Sequence, residues 1–467
     1  MVDTGKIDTA SHPLAVTGVT RLIARYATPS IIAMLVGALY NIVDQIFIGH
    51  DVGMLGNAAT NVAFPLATIC MSAALLLGIG GAANFNLEMG RGNGERAGRI
   101  AANAFSFMMI FGVAIFIAVR FALEPMLIAF GATDDVLPYA LRYTSITSLG
   151  IPFMIAALGG THLIRADGSP RYSMLCNLTG AGLNIILNSF FMFGLGMGIA
   201  GAAWGTAISQ FVSWLLVARY VIRYKSVRLS PRFFVPNIRI LATISALGAG
   251  SCFNQLAMSC VQVTLNNVLR HYGATSIYGS NIPLAAAGII SKVNMIYLSI
   301  VIGLAQGGQP IIGFNYGARR YGRVRRTFTI IVCAATGISF VAFANFQLFP
   351  KEIISVFGEG SAEYYHFVER YFRIFLFMTL VNGIQPVTAN FFTSIGKATR
   401  GLFMSLTRQI IFLLPLVIIF PRIWGVDGVM YAGPVADLAA FMLAAVFLRK
   451  ESGDMKKLED AQSSSAR

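Results

Sequence analysis

Apolar stretches of about 20 residues recur along nearly the whole chain, and they decide which solvent it folds in. Each is long enough to cross ~30 Å of hydrocarbon as a helix. The composition agrees: 12% of the residues are charged, against about 25% in a soluble domain. Twelve spans are placed at roughly 29–50, 57–80, 99–121, 138–161, 172–195, 199–220, 239–269, 281–308, 327–349, 370–392, 401–420 and 427–448. The expected fold class is an all-α polytopic membrane protein with twelve transmembrane helices.

The spans are duplicated. Gly78 to Ala83 leads to Arg91-Gly92 and a basic turn, and Gly303 to Gly308 leads to Tyr316-Gly317 and another. At one constant offset Asn41 matches Asn266, Gly78 matches Gly303 and Gly92 matches Gly317. A second pair, Gly198 to Ala203 and Gly425 to Met430, follows in the same order. Six helices per half give both repeats one topology, related by a pseudo-twofold axis along the membrane normal with a cleft between them. The expected division is a 1–28 N-terminus, a 29–220 first lobe, a 221–238 linker carrying Pro231 and Pro236, a 239–448 second lobe and a 449–467 tail. The tail, charged and Ser-rich from Glu451, reads as disordered.

The net charge of +15 raises the question of nucleic acid, and its distribution answers it. With the N-terminus inside, 26 Lys and Arg fall on the cytoplasmic side and seven on the other. That asymmetry is the positive-inside pattern, with both termini cytoplasmic and the basic loops beside lipid headgroups. The polar first twenty residues lack the apolar core of a cleaved signal peptide. The five cysteines lie in predicted spans without a CxxC pair and read as packing residues.

Acidic residues are scarce where they matter. Between Asp167 and Glu352 there is no Asp or Glu, and Asp44 and Asp437 are the clear cases inside spans. An ionisable group at such depth faces the protein interior or a water-filled cavity. Asp44 lies ~9 Å below the outer end of helix 1, with Asn188 on helix 5 and Thr206 on helix 6 at ~10 Å. Asn184 is one turn below Asn188 on the same face. Oxygen ligands suit a hard cation such as Na⁺, whereas a proton needs the carboxylate alone. Each amide or hydroxyl can equally be interhelical glue. Leu269 occupies the position matching Asp44 in the second half, so coupling is expected in the first.

In the second half, Arg408 and Asp437 lie about 12 and 18 Å deep on neighbouring helices, and a structural ion pair is favoured over a proton relay. Lys292 on helix 8, ~16 Å deep, either lines the cleft or snorkels to water. Gln255, Gln262 and Asn266 share one face of helix 7 and suit cavity lining or interhelical bonding alike. Tyr40 and Asn41, beside Asp44, complete the cleft candidates. The five histidines are scattered and the buried acids isolated, so no metal constellation or enzyme active site is read.

Leu39 to Gly49, Gly303 to Asn315, Ser405 to Ile411 and Gly433 to Asp437 together resemble the multidrug and toxic compound extrusion (MATE) family, nearest its MepA-like and DinF-like bacterial branches. The resemblance implies a bacterial inner-membrane secondary transporter, expected as a monomer without a cofactor. It would export amphipathic, often cationic small molecules by alternating access, driven by H⁺ or Na⁺. The family's first-lobe cation site would fall on Asp44, Asn184, Asn188 and Thr206. Related proteins carry an aspartate where this chain has Asn188, which tilts the expectation toward protons. The alternative, a lipid-intermediate flippase of the wider superfamily, would add helices or line the cleft with several arginines.

Overall fold

The computed structural model describes residues 8–279, 281–357 and 362–465. Lys6 and Arg467, both counted in the charge pattern, lie outside them. Helices and turns make up the described residues, with no strand among them. In hydrocarbon every backbone N–H and C=O must find a partner inside its own segment, and an α-helix meets that demand.

The first lobe comprises α1 (Val19–Asp51), α2 (Met54–Gly90), α3 (Gly94–Ala129), α4 (Leu137–Ala166), α5 (Pro170–Gly194) and α6 (Ile199–Ile222). The second comprises α7 (Ile238–Ala274), α8 (Asn281–Gly317), α9 (Tyr321–Leu348), the broken α10 (Glu363–Phe375 and Thr379–Ser394, bent by 42°), α11 (Ala398–Trp424) and α12 (Asp427–Ser465). Eleven of these are long and apolar enough to cross a membrane, and the bent pair makes a twelfth. Helix α11 includes a π-helical turn at Thr407–Leu413, and α5 ends in one at Phe190–Gly194.

Several boundaries differ from expectation. Helix α1 starts ten residues earlier than its apolar run, because nothing between Val19 and Pro29 breaks a helix and Arg21 and Arg25 are exposed at its end. Helix α2 continues to Gly90 and buries Glu88, which the sequence placed beyond the span. The tail is helical through Ser465 rather than disordered. Buried Glu451 accepts from Lys397 at 2.6 Å and from Arg400, and Glu459 pairs with Arg325 at 3.3 Å. These contacts and the buried Met455 tie the tail to the second lobe.

The chain segments at both termini, the linker after Ile222 and the α2–α3 and α8–α9 turns gather at one end of the bundle, here the basic end. There the lobes pack closely. A Cβ on Gly248 of α7 would stand 1.8 Å from the Leu76 carbonyl oxygen of α2, and one on Gly80 of α2 would stand 2.1 Å from that of Ile244. The α1–α8 seam is as tight, with Gly303 against Ile31 and Gly307 against Ala27. Small residues let the backbones approach, and dispersion contacts hold the seam where lipid offers no hydrophobic drive. Among the described residues, the inter-lobe hydrogen bond farthest from this end joins Ser259 and Thr68 at 3.3 Å. Thr68 lies 14 residues from the far end of α2, ~21 Å below it. Beyond it no hydrogen bond joins the lobes among the described residues, and the seam faces of α1, α7 and α8 carry exposed side chains, the side on which the expected cleft opens.

Candidate functional site: a lone carboxylate on the cleft wall

Asp44 is seven residues from the far end of α1, Asn188 six from that of α5 and Thr206 seven from that of α6. All three therefore sit ~10 Å below one surface, and packing brings them together. The Asn188 amide Nδ2 donates to Asp44 Oδ1 at 2.5 Å and to Asn184 Oδ1 at 3.2 Å. Asn184 Nδ2 donates to Thr206 Oγ1 at 3.1 Å. The chain of bonds runs from the cleft wall into the lobe: Asp44 is half-buried, while Asn184 and Asn188 are buried.

Two features of this cluster lie beyond sequence spacing. Asn188 Oδ1 is buried and has no hydrogen-bond partner, and it points at Gly205, where a Cβ would stand 2.0 Å from it. A glycine is required there for the amide to lie as it does. Tyr143 of α4 also faces Asp44, Tyr40 and Thr206. No spacing in the sequence marks Tyr143, because its role depends on how α4 packs on α6.

The other candidates fall on the cleft by helix geometry. Gln255, Gln262 and Asn266 follow Gly248 at 7, 14 and 18 residues, so they continue the seam face of α7 toward the far end. Gln262 Nε2 donates to Asn266 Oδ1 at 3.0 Å, and Ser291 of α8 donates to Gln262 Oε1 at 3.4 Å. Exposed Lys292 precedes Gly303 by 11 residues, three turns on the same face, and so faces the first lobe across the cleft. Exposed Asn41 donates to its own helix at the Gly37 carbonyl, 2.7 Å away. Tyr40 is half-buried between Asp44 and Tyr143.

Arg408 and Asp437 meet in the second lobe. Arg408 Nε lies 2.5 Å from Asp437 Oδ1, with both side chains buried. Nearby Tyr297 shares a 2.7 Å hydrogen bond with Ser339 and donates to the Thr379 carbonyl at 3.1 Å. The sequence counted Arg165 among loop charges. It is instead buried at the end of α4 and donates across the seam to Gln306 Oε1 at 2.9 Å. Its charge pattern resembled a loop because Asp167 and Arg171 follow it closely. Buried Asp167 caps the linker, accepting from Tyr220 Oη and the Lys225 N–H at 2.8 Å each and from the Ser226 N–H at 2.9 Å. No group of three His, Cys, Asp or Glu side chains able to hold a metal occurs among the described residues.

The MatE family profile matches residues 29–190 and 250–419, one segment in each lobe. The chain belongs to the MatE family. Members of this MATE family of multidrug exporters are transporters, and this MatE chain shares their fold throughout. It is 24% identical to the multidrug export protein MepA of Staphylococcus saprophyticus over 441 residues, 93% of this chain and 95% of the relative. The MepA of Staphylococcus aureus strain NCTC 8325 is also 24% identical, over 94% and 96% of the two chains. Among solved structures, an outward-facing multidrug resistance MATE transporter of the MOP superfamily superposes with a TM-score of 0.88 at 24% identity, covering 97% of this MatE chain and 99% of its own.

Proposed function

We propose that this protein is a proton-coupled antiporter of a bacterial inner membrane, which exports amphipathic cationic small molecules as a monomer by alternating access. The observation that carries the reading is the bond from Asn188 Nδ2 to Asp44 Oδ1 at 2.5 Å. An amide N–H aimed at a carboxylate occupies one of its oxygens and, as it lies, presents no oxygen ligand beside it. A Na⁺ ion would have to displace this donor and gather several oxygen ligands around one carboxylate, whereas a proton needs the carboxylate and a single acceptor. The excess of Lys and Arg at the basic end supports placing that end, with both termini, in the cytoplasm.

Coupling follows from charge. With Asp44 ionised, the cleft offers a cationic substrate one negative group on the first lobe, opposite Lys292 on the second. A proton arriving from the far side neutralises Asp44 and removes the substrate's counter-charge. Lys292 then leaves the cleft net positive, and the cation departs outward. The new carboxyl O–H requires an acceptor, and a turned Asn188 amide supplies its unpaired Oδ1, which shifts the contact between α1 and α5. Proton and substrate thus compete for one charge, and competition of this kind is the reciprocal free-energy coupling that exchange requires.

The test is transport of a cationic dye by reconstituted protein under a pH gradient or a Na⁺ gradient imposed separately. Uptake driven by the pH gradient and lost in Asp44→Asn is expected. Uptake driven by Na⁺ alone would overturn the proton assignment, and full activity in Asp44→Asn would overturn the site.

A further inference from the structure

Away from the cleft, at the basic end, a crevice of about 530 Å³ opens between the lobes. One wall is the start of α1, Gly18 to Arg21, from the first lobe. The other is Gly322, Arg323 and Arg326 at the start of α9, from the second. No carboxylate is among the described residues that line it. The acids nearby are partnered: Glu459 Oε2 pairs with Arg325 while its Oε1 stands beside Gly322, and Asp8 accepts from the Ala10 N–H at 2.9 Å. Arg320 and Arg326 both repel Arg323. Arg323 is held against that repulsion by neutral oxygens, donating to the Thr17 and Leu14 carbonyls at 2.7 and 3.1 Å and to Asn315 Oδ1 at 3.2 Å. Arg21 and Arg326 are exposed and make no hydrogen bond or ion pair among the described residues.

We propose that this crevice binds the phosphate of an anionic phospholipid headgroup, bridging Arg21 of the first lobe to Arg323 and Arg326 of the second. Guanidinium groups that share one crevice are matched by a phosphate, whose oxygens accept the forked N–H pairs of Arg21 and Arg326 and the remaining Nη1–H of Arg323. Depth selects the lipid source. Arg326 adjoins the apolar run that begins at 327 and Arg21 stands about two turns outside that of α1, so the crevice opens at the leaflet surface, where anionic headgroups concentrate phosphate.

The experiment uses the purified full chain in neutral detergent. Thermal unfolding is followed while phosphatidylglycerol, phosphatidylcholine or inorganic phosphate is added, and native mass spectrometry counts retained lipids. Phosphatidylglycerol is expected to raise the unfolding midpoint saturably, with one lipid retained above the phosphatidylcholine background. Arg21→Gln with Arg326→Gln should weaken this response by roughly fivefold for each arginine removed. Arg228→Gln, on the exposed linker, should respond as the unaltered protein does. Arg326→Gln alone gives a second, milder reading should the double variant fold poorly. An identical phosphatidylglycerol response in unaltered protein and in the Arg326 variant overturns the site. An equal midpoint shift from inorganic phosphate at matched concentration overturns the lipid assignment.

Discussion

The two lobes each hold a carboxylate against their fifth helix and treat it in opposite ways. In the first, Asp44 sits half-buried at the cleft and is met by the neutral amide of Asn188. In the second, Asp437 is buried and locked to the guanidinium of Arg408. A π-helical turn disturbs the fifth helix of each lobe, just beyond Asn188 in α5 and around Arg408 in α11. Such turns re-aim side chains and recur at functional sites. What separates the lobes is the partner. A neutral amide leaves the carboxylate's charge unbalanced and open to exchange with a proton or a cationic substrate. A buried arginine cancels it, and removing either member strands an uncompensated charge.

The sharpest way to break this comparison is to neutralise each acid in turn. Asp44→Asn is expected to reduce dye export at least ~100-fold, the loss of the group on which the proposed coupling depends, while thermal unfolding stays within a degree or two of the parent. Asp437→Asn should do the reverse, retaining pH-driven export but losing about 3–5 kcal/mol of stability because Arg408 is left unpaired. Replacing both partners by apolar residues, Arg408→Met with Asp437→Leu, should recover most of that loss. Collapse of pH-driven export in a folded Asp437→Asn protein would erase the distinction between the lobes.

Finer variants sharpen the first-lobe side. Gly205→Ala places a methyl group where Asn188 Oδ1 now lies. It should cost about 1–3 kcal/mol as an overpacked site and lower export by lifting the amide from Asp44; unfolding and dye assays on one preparation check both. Smallest is Lys292→Gln. Across a water-filled cleft, one charge ~10 Å away contributes a few tenths of a kcal/mol, so the apparent affinity for a cationic dye should rise about twofold. A dye-binding titration reads this directly, and unchanged affinity removes Lys292 from the cleft electrostatics.

Particular residues mark how far the sequence could be read. Asp44, Asn188 and Thr206 were placed at one depth by counting from helix ends, and the structure has them at one level because an α-helix rises uniformly. Arg408 and Asp437 count to different depths, and the long arginine side chain closes that gap in the ion pair the sequence favours. Arg165 was read as a loop charge, since its burial depends on a seam with α8 that no local pattern encodes. Tyr143 carried no signal for the same reason. The tail's polar composition suggested disorder, but Glu451 and Glu459 each find a basic partner on the second lobe.

Sequence alone determined the membrane as solvent, the helical spans, the duplication into two six-helix lobes and the scarcity of acid within the apolar runs. These rest on local quantities: apolar length, residue spacing and the cost of a charge in hydrocarbon. Tertiary structure alone decided that the lobes close at the basic end and that an amide nitrogen faces Asp44. Each is a matter of helix rotation and register between distant segments, 144 residues apart for Asn188 and Asp44, and only packing sets those angles.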